Sequence, residues 1–181
     1  MNRLSPQMMR WIFLGYLLSL PGLIYLSWPS LWWIWVWCTI AWAMMIYASL
    51  RANCQWFGPV VTKFKTNSKE VWLTIDDGPH PEDTPLILDL LDQYQAKATF
   101  FVIGTRVERH PDLVACIANR GHRLGNHSHS HRVASFWCLP KQSVCREIDQ
   151  CTEVLENLTG QRCAWFRAPV GMANWHVHAA I

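Results

Sequence analysis

The chain has 181 residues, a net charge of +3 at pH 7 and 51% hydrophobic side chains. That length suits one domain of ordinary size, and the charge is too mild and too dispersed to argue for a nucleic-acid partner. Seven cysteines, with no Cys-x-x-Cys pair, make an odd count that excludes a disulfide framework or a thiolate zinc site and fits a reducing compartment.

From Trp11 to Leu50 there is no Asp, Glu, Lys, Arg or His, and seven of the twelve tryptophans fall in this run. This is membrane composition. The run is about twice the ~20 residues a spanning helix needs, so the reading is an N-terminal transmembrane hairpin. Its two helices lie at about 11–26 and 31–50, joined at Ser27-Trp28-Pro29-Ser30. The apolar character continues with no small-residue cleavage site, which argues against a removed signal peptide. Arg3 and Arg10 precede the run and Arg51, Lys63, Lys65 and Lys69 follow it, while the connecting turn carries no charge. The positive-inside rule then puts both ends in the cytoplasm. The expectation is a multi-pass membrane protein with its soluble domain on the cytoplasmic side. Residues 51–69 form a basic linker suited to the anionic bilayer face.

The soluble part, residues 70–181, opens with an apolar stretch, Val71 to Ile75, that runs as a strand into Asp76 and Asp77 and turns at Gly78-Pro79. On an extended backbone the two neighbouring carboxylates point apart, so one can hold a metal while the other faces substrate. Thr84-Pro85 reads as a helix start. Leu86, Ile87, Leu90, Leu91 and Tyr94 then recur at helical spacing on one buried face, giving a helix to about Gln95. Lys97 to Ile103 is a strand whose apolar end suits a parallel sheet covered on both faces. Pro111 opens a second helix that closes at Gly121. His122 to Gly125 is a short third strand leading into Asn126-His127-Ser128-His129-Ser130-His131. A long helix covers Lys141 to Leu158, and Cys163 to Phe166 is a fourth strand ending in Arg167. The order β-α-β-α-β-α-β predicts a parallel α/β fold with chemistry at the carboxyl ends of the strands.

His127 and His131, four apart, share a face if their segment takes one helical turn. With Asp77 at a neighbouring strand end they make a two-His, one-carboxylate metal site. His129 points away from that face.

Thr74-Ile75-Asp76-Asp77-Gly78-Pro79, then His127-Ser128-x-x-His131, then Arg167-Ala168-Pro169-x-Gly171 resemble, in order and spacing, the first three motifs of the NodB-like polysaccharide deacetylases. Lys97-Ala98-Thr99-Phe100-Phe101 is similar to that family as well. The resemblance covers roughly Glu70 to Asn174 and implies part of a distorted (β/α) barrel. It also implies a metal-dependent hydrolase that removes an acyl group, usually acetyl, from the nitrogen of an amino sugar. Carried over by position, Asp77, His127 and His131 would bind a divalent ion, usually zinc, Asp76 would be the general base, and Arg167 would hold Asp76. A bound divalent ion acidifies water, so a nearby carboxylate can take its proton at neutral pH.

Two further motifs of that family, one with an aspartate and a tryptophan that shape the site and one with a histidine that serves as general acid, are not found before Ile181. His176 and His178 lie in a segment expected to begin the next helix. The domain is therefore expected to be C-terminally incomplete. The leading reading is a membrane-anchored N-deacylase acting on a cell-envelope glycan or a lipid-linked sugar. The alternative is a truncated, inactive fragment or a membrane-bound pseudoenzyme that acts by interaction.

Overall fold

A computed structural model describes residues 6–20, 22 and 32–181, and the chain divides into two compact units, Met1–Lys63 and Phe64–Ile181. The expected linker, 51–69, spans that boundary, and residues 51–73 contain neither helix nor strand.

The first unit carries helix α1 (Pro6–Leu18) and helix α2 (Trp32–Leu50). The 19 residues of α2 rise about 28 Å, close to the ~30 Å hydrocarbon thickness of a bilayer. Among the described residues, α2 is the one helix long and apolar enough to cross a membrane. Helix α1 begins ahead of the expected Trp11, and its 13 residues are too short to span. The rest of the first expected span, at 21 and 23–26, and the turn Ser27–Ser30 lie outside the described residues. Tyr16 of α1 stacks on Trp37 of α2 with ring centroids 5.0 Å apart. The Tyr16 hydroxyl donates to the Trp37 carbonyl at 2.7 Å and the Trp37 indole N–H donates to the Tyr16 carbonyl at 3.1 Å. Two aromatic side chains thus satisfy their polar atoms on each other's backbone.

In the second unit, strands β1 (Thr74–Gly78), β2 (Thr99–Val102) and β3 (Arg123–Asn126) form a parallel sheet in the order β1-β2-β3. Helix α3 (Asp83–Gln93) joins β1 to β2. Helices α4 (Gly104–Arg109) and α5 (Pro111–Asn119) join β2 to β3. Helix α6 (Lys141–Thr159) follows β3, and a short helix α7 (Val177–Ala180) ends the chain. Phe100 and Val102 on one sheet face pack with Leu88, Leu91, Val107, Val114, Ile117, Cys151 and Leu155 from α3 to α6. Each fully buried large aliphatic or aromatic side chain contributes roughly 1.5–3 kcal/mol, so this cluster supports the unit. Burial pushes the Cys151 thiol up to about 12, and its Sγ–H donates to the Val102 carbonyl at 3.6 Å. That thiol is an apolar core residue, not a nucleophile.

Several expectations change in detail. Helix α3 starts at Asp83, not at Thr84, because the Thr84 hydroxyl accepts the His80 N–H at 2.8 Å and winds the preceding turn. Its apolar residues occupy two faces rather than one: Leu88 and Leu91 point inward, whereas Leu86, Leu90 and Tyr94, spaced by four, face outward. Helix α4 was not expected. Gly104 opens it with His129 pressed so close that a Cβ on residue 104 would lie 2.5 Å from the His129 ring. The expected fourth strand, Cys163 to Phe166, is reduced to a single parallel bridge between Phe166 and Asn126.

His122, immediately before β3, is 5% exposed. Its Nδ1 accepts the Ala98 N–H at 3.3 Å, and burial, aided by Lys97, holds its pKa below the ordinary histidine value. The unfolded chain therefore binds a proton that the folded chain refuses, and folding stability falls as pH drops below about 6.5. Thermal unfolding of the full chain in detergent between pH 7.5 and 5 should show a falling midpoint. The slope should shrink in His122→Gln, which keeps an acceptor without the titration.

Candidate active site

The carboxyl end of β1 is irregular. Thr74 and Ile75 pair with Thr99 and Phe100, but the register shifts before Gly78 meets Val102, and Asp77 adopts φ 64. A left-handed aspartate costs on the order of 1 kcal/mol or more. Arg106 of α4 offsets part of that cost by donating to the Asp77 carbonyl. The two carboxylates diverge because of this left-handed residue, not through the alternation of an extended strand. Asp76 turns to Arg167, and Asp77 turns to His127 and His131.

His127 follows β3 directly and is 3% exposed. Its backbone N–H donates to the Val102 carbonyl at 3.0 Å, which ties it to the end of β2. Its Nδ1 donates to the Arg167 carbonyl at 2.8 Å, a backbone partner that can only accept, so Nε2 carries the lone pair. Burial holds the His127 pKa below the ordinary value, which favours the neutral imidazole. Nε2 faces the Asp77 carboxylate at 3.3 Å, and Nε2 of His131 faces the same oxygen at 2.9 Å.

The histidine pair does not lie on a helical turn. Residues 127–132 are irregular, with Ser128 at φ 65 and His131 at φ 52, and these two left-handed residues bring the rings to 4.8 Å between centroids. The loop is held amide by amide. Ser128 N–H donates to the Asn126 side-chain oxygen at 2.7 Å, His129 N–H to the Glu147 carbonyl at 2.9 Å, and His131 N–H to the Ser128 hydroxyl at 3.1 Å. The N–H groups of Gly104 and Thr105, at the start of α4, donate to the carbonyls of Ser128 and His129. His129 turns from the other two rings toward Gly104.

Asp77, His127 and His131 place one ligand atom each within 4.8 Å of one another. Nε2 of His131 is buried and makes no hydrogen bond, although a carboxylate oxygen is near. Two imidazole nitrogens crowding one carboxylate oxygen repel it unless a cation or a proton lies between them. Burial opposes protonation of His127. The donor set, two imidazoles and a carboxylate, is the one expected of zinc or a similar divalent ion.

Arg167 donates to Asp76 at 2.7 Å and to the Thr74 hydroxyl at 2.9 Å. Its guanidinium lies over the Phe101 ring, 4.2 Å from the centroid. Phe101 packs so tightly against Gly125 that a Cβ there would meet the ring at 2.7 Å. The ion pair is more than a third exposed on both sides, so its main effect is to orient Asp76 rather than to stabilise the fold.

All five residues expected from the sequence thus meet at the carboxyl ends of the strands. Their supports are less legible in the sequence. Phe101 looks like any buried strand residue. Asn126, whose amide donates to the Ile148 carbonyl at 2.8 Å and the Thr152 hydroxyl at 2.9 Å, could have been flagged as a polar residue at a strand end. Glu147 lies in mid-helix, where a carboxylate reads as a solvated face.

The family profile described as polysaccharide deacetylase matches residues 63–181. A peptidoglycan-N-acetylglucosamine deacetylase from Bacillus cereus is 48% identical over 86 residues, which is 48% of this chain and 40% of that protein. The structure of peptidoglycan deacetylase PdaC from Bacillus subtilis is similar with a TM-score of 0.59 at 35% identity, covering 62% of this chain and 55% of that one. A family 4 acetyl xylan esterase from Clostridium thermocellum, in complex with a cobalt ion, is similar with a TM-score of 0.56 at 31% identity, covering 61% of this chain and 53% of that one. Each match spans less than two thirds of the relative's own length. With its acids, histidines and arginine at the strand ends and the profile running over 63–181, the chain belongs to the polysaccharide deacetylase family.

Proposed function

We propose that this chain is a membrane-anchored hydrolase that removes an N-acyl group, most simply acetyl, from an amino sugar of the cell envelope. The observation that carries this reading is the meeting of Asp77, His127 and His131 beside the Asp76–Arg167 pair. The printed names of the relatives, peptidoglycan deacetylases, support the substrate class. In this reading residues 70–181 carry the reaction, 51–69 are the basic linker and 1–50 are the anchor.

Asp77, His127 and His131 hold a divalent ion, zinc by donor chemistry. When bound, that ion supplies Lewis acidity to water and to the amide carbonyl. Asp76 accepts a proton from the water whose oxygen adds to the carbonyl carbon. Arg167, fixed by Thr74 and Phe101, keeps the Asp76 carboxylate facing that water. Cleavage of the C–N bond, with the proton taken up by Asp76 passing to the departing nitrogen, then yields the carboxylate of the acyl group and the free amine.

The anchor reading is supported by the length of α2 and by the Tyr16–Trp37 contacts between α1 and α2. The charge flanks of the apolar run favour a cytoplasmic domain. Such a domain meets its amino sugar on a lipid carrier at the inner leaflet. The opposite orientation would present polymeric peptidoglycan.

Elemental analysis of the purified full chain should find about one equivalent of zinc, and His127→Ala, His131→Ala and Asp77→Ala should each lose it. Retention in all three would remove the proposed centre. Acetate release from N-acetylglucosamine oligomers should fall ~10²–10⁴-fold in Asp76→Asn, and less in Arg167→Ala; an unchanged rate in Asp76→Asn would take the base role from that residue. Reporter fusions after Ser30 and after Lys69 should be active outside and inside the cytoplasm respectively. A Lys69 fusion active only outside would turn the substrate assignment to polymeric peptidoglycan.

A further inference from the structure

Glu147 is a buried carboxylate, 7% exposed, that the proposed reaction does not use. It sits on the inward face of α6 with Val144, Ile148 and Cys151, a stripe where an apolar side chain would ordinarily pack. A buried carboxylate persists only where its oxygens are matched to donors. Here the donors belong to one residue of the histidine loop. Ser130 gives its backbone N–H to Oε2 at 2.7 Å and its hydroxyl to Oε1. Arg132 approaches Oε1 from the rim at 3.5 Å. The Glu147 backbone carbonyl also takes the His129 N–H at 2.9 Å.

Ser130 and His129 lie between His127 and His131. Of the four successive amides from Ser128 to His131, two end on Glu147, one through its side chain and one through its backbone. The loop contains two left-handed residues and no ladder, so these bonds replace what secondary structure would supply. We infer that Glu147 is a positioning residue: its side chain sets the separation of His127 and His131 by holding Ser130 from both of that residue's donors. The inference rests on the reading that these histidines are metal ligands, and its test separates the two.

Glu147→Gln keeps size and one acceptor but turns an NH2 toward one Ser130 donor. Titration of the metal-free full chain with zinc should show ~10–100-fold weaker binding in this variant, the size of loss typical of residues that orient ligands. Amide hydrogen exchange of the metal-free chain should speed up at 128–131 and stay unchanged at Thr99–Val102. Ser130→Ala should shift both readouts in the same direction by less. Ile148→Val, on the same helix face, should lower thermal stability yet leave zinc affinity and loop exchange in place. Faster loop exchange in Glu147→Gln, with a parent chain that binds no zinc, would uphold the positioning role and remove the metal reading. Unchanged exchange at 128–131 in Glu147→Gln, or an equal loss of affinity in Ile148→Val, would overturn the inference.

Discussion

The site depends on a short piece of backbone pairing, that of residues 165–167 with the last residue of β3. Asn126 donates its N–H to the Trp165 carbonyl at 2.8 Å, and Arg167 donates its own to the Asn126 carbonyl at 2.9 Å. The Arg167 carbonyl is thereby turned to His127 Nδ1, and its side chain crosses Phe101 to reach Asp76. One bridge therefore sets the tautomer of a candidate ligand and the orientation of a candidate base. Parallel pairing suits this task because it aligns the carboxyl ends of successive strands, where backbone groups leave the ladder and side chains are free to converge.

Around that pairing every backbone N–H from His127 to His131 finds an acceptor. A loop with Ser128 and His131 in left-handed backbone would be unfavourable in isolation. Its amides are met by Asn126, Glu147 and Ser128, and its carbonyls by the start of α4. Asp77, also left-handed, is met by Arg106. Strain is concentrated at the acids and imidazoles, and hydrogen bonds from α4 and α6 hold it there. The apolar cluster of Phe100, Val102, Val107, Cys151 and Leu155 supplies the rigidity behind both helices. Glycine at 104 and 125 permits the two closest approaches, to His129 and Phe101.

The first unit follows a different rule. The Tyr16 hydroxyl and the Trp37 indole N–H each bond to the other residue's backbone carbonyl. Trp35 and Trp42 of α2 are exposed.

Much of the fold was legible in the sequence. The apolar run of β2, proline at the start of α5, Gly121 at φ 76 just past its end, and the alternation of strands with helices each follow from local chemistry. Asp76, Asp77, His127, His131 and Arg167 stand out in the sequence as candidates by their place after expected strands and by their resemblance to family motifs, and the structure brings Asp77 to the two histidines and Asp76 to Arg167. Helix α4 was missed because its six residues bury only Gly104 and Val107, too short for a periodic signal. The outward turn of Leu86, Leu90 and Tyr94 was missed because apolar spacing fixes a helix but not which apolar stripe meets the sheet. Sequence alone thus determined most of the elements and which polar side chains are candidates for the site. Tertiary structure alone decided how those groups meet: Asp77 parts from Asp76 through a left-handed residue, the two imidazoles converge without a helix, and Glu147 reaches a loop 17 positions away in the chain. Such choices are made by hydrogen bonds between segments distant in sequence, which no local pattern encodes.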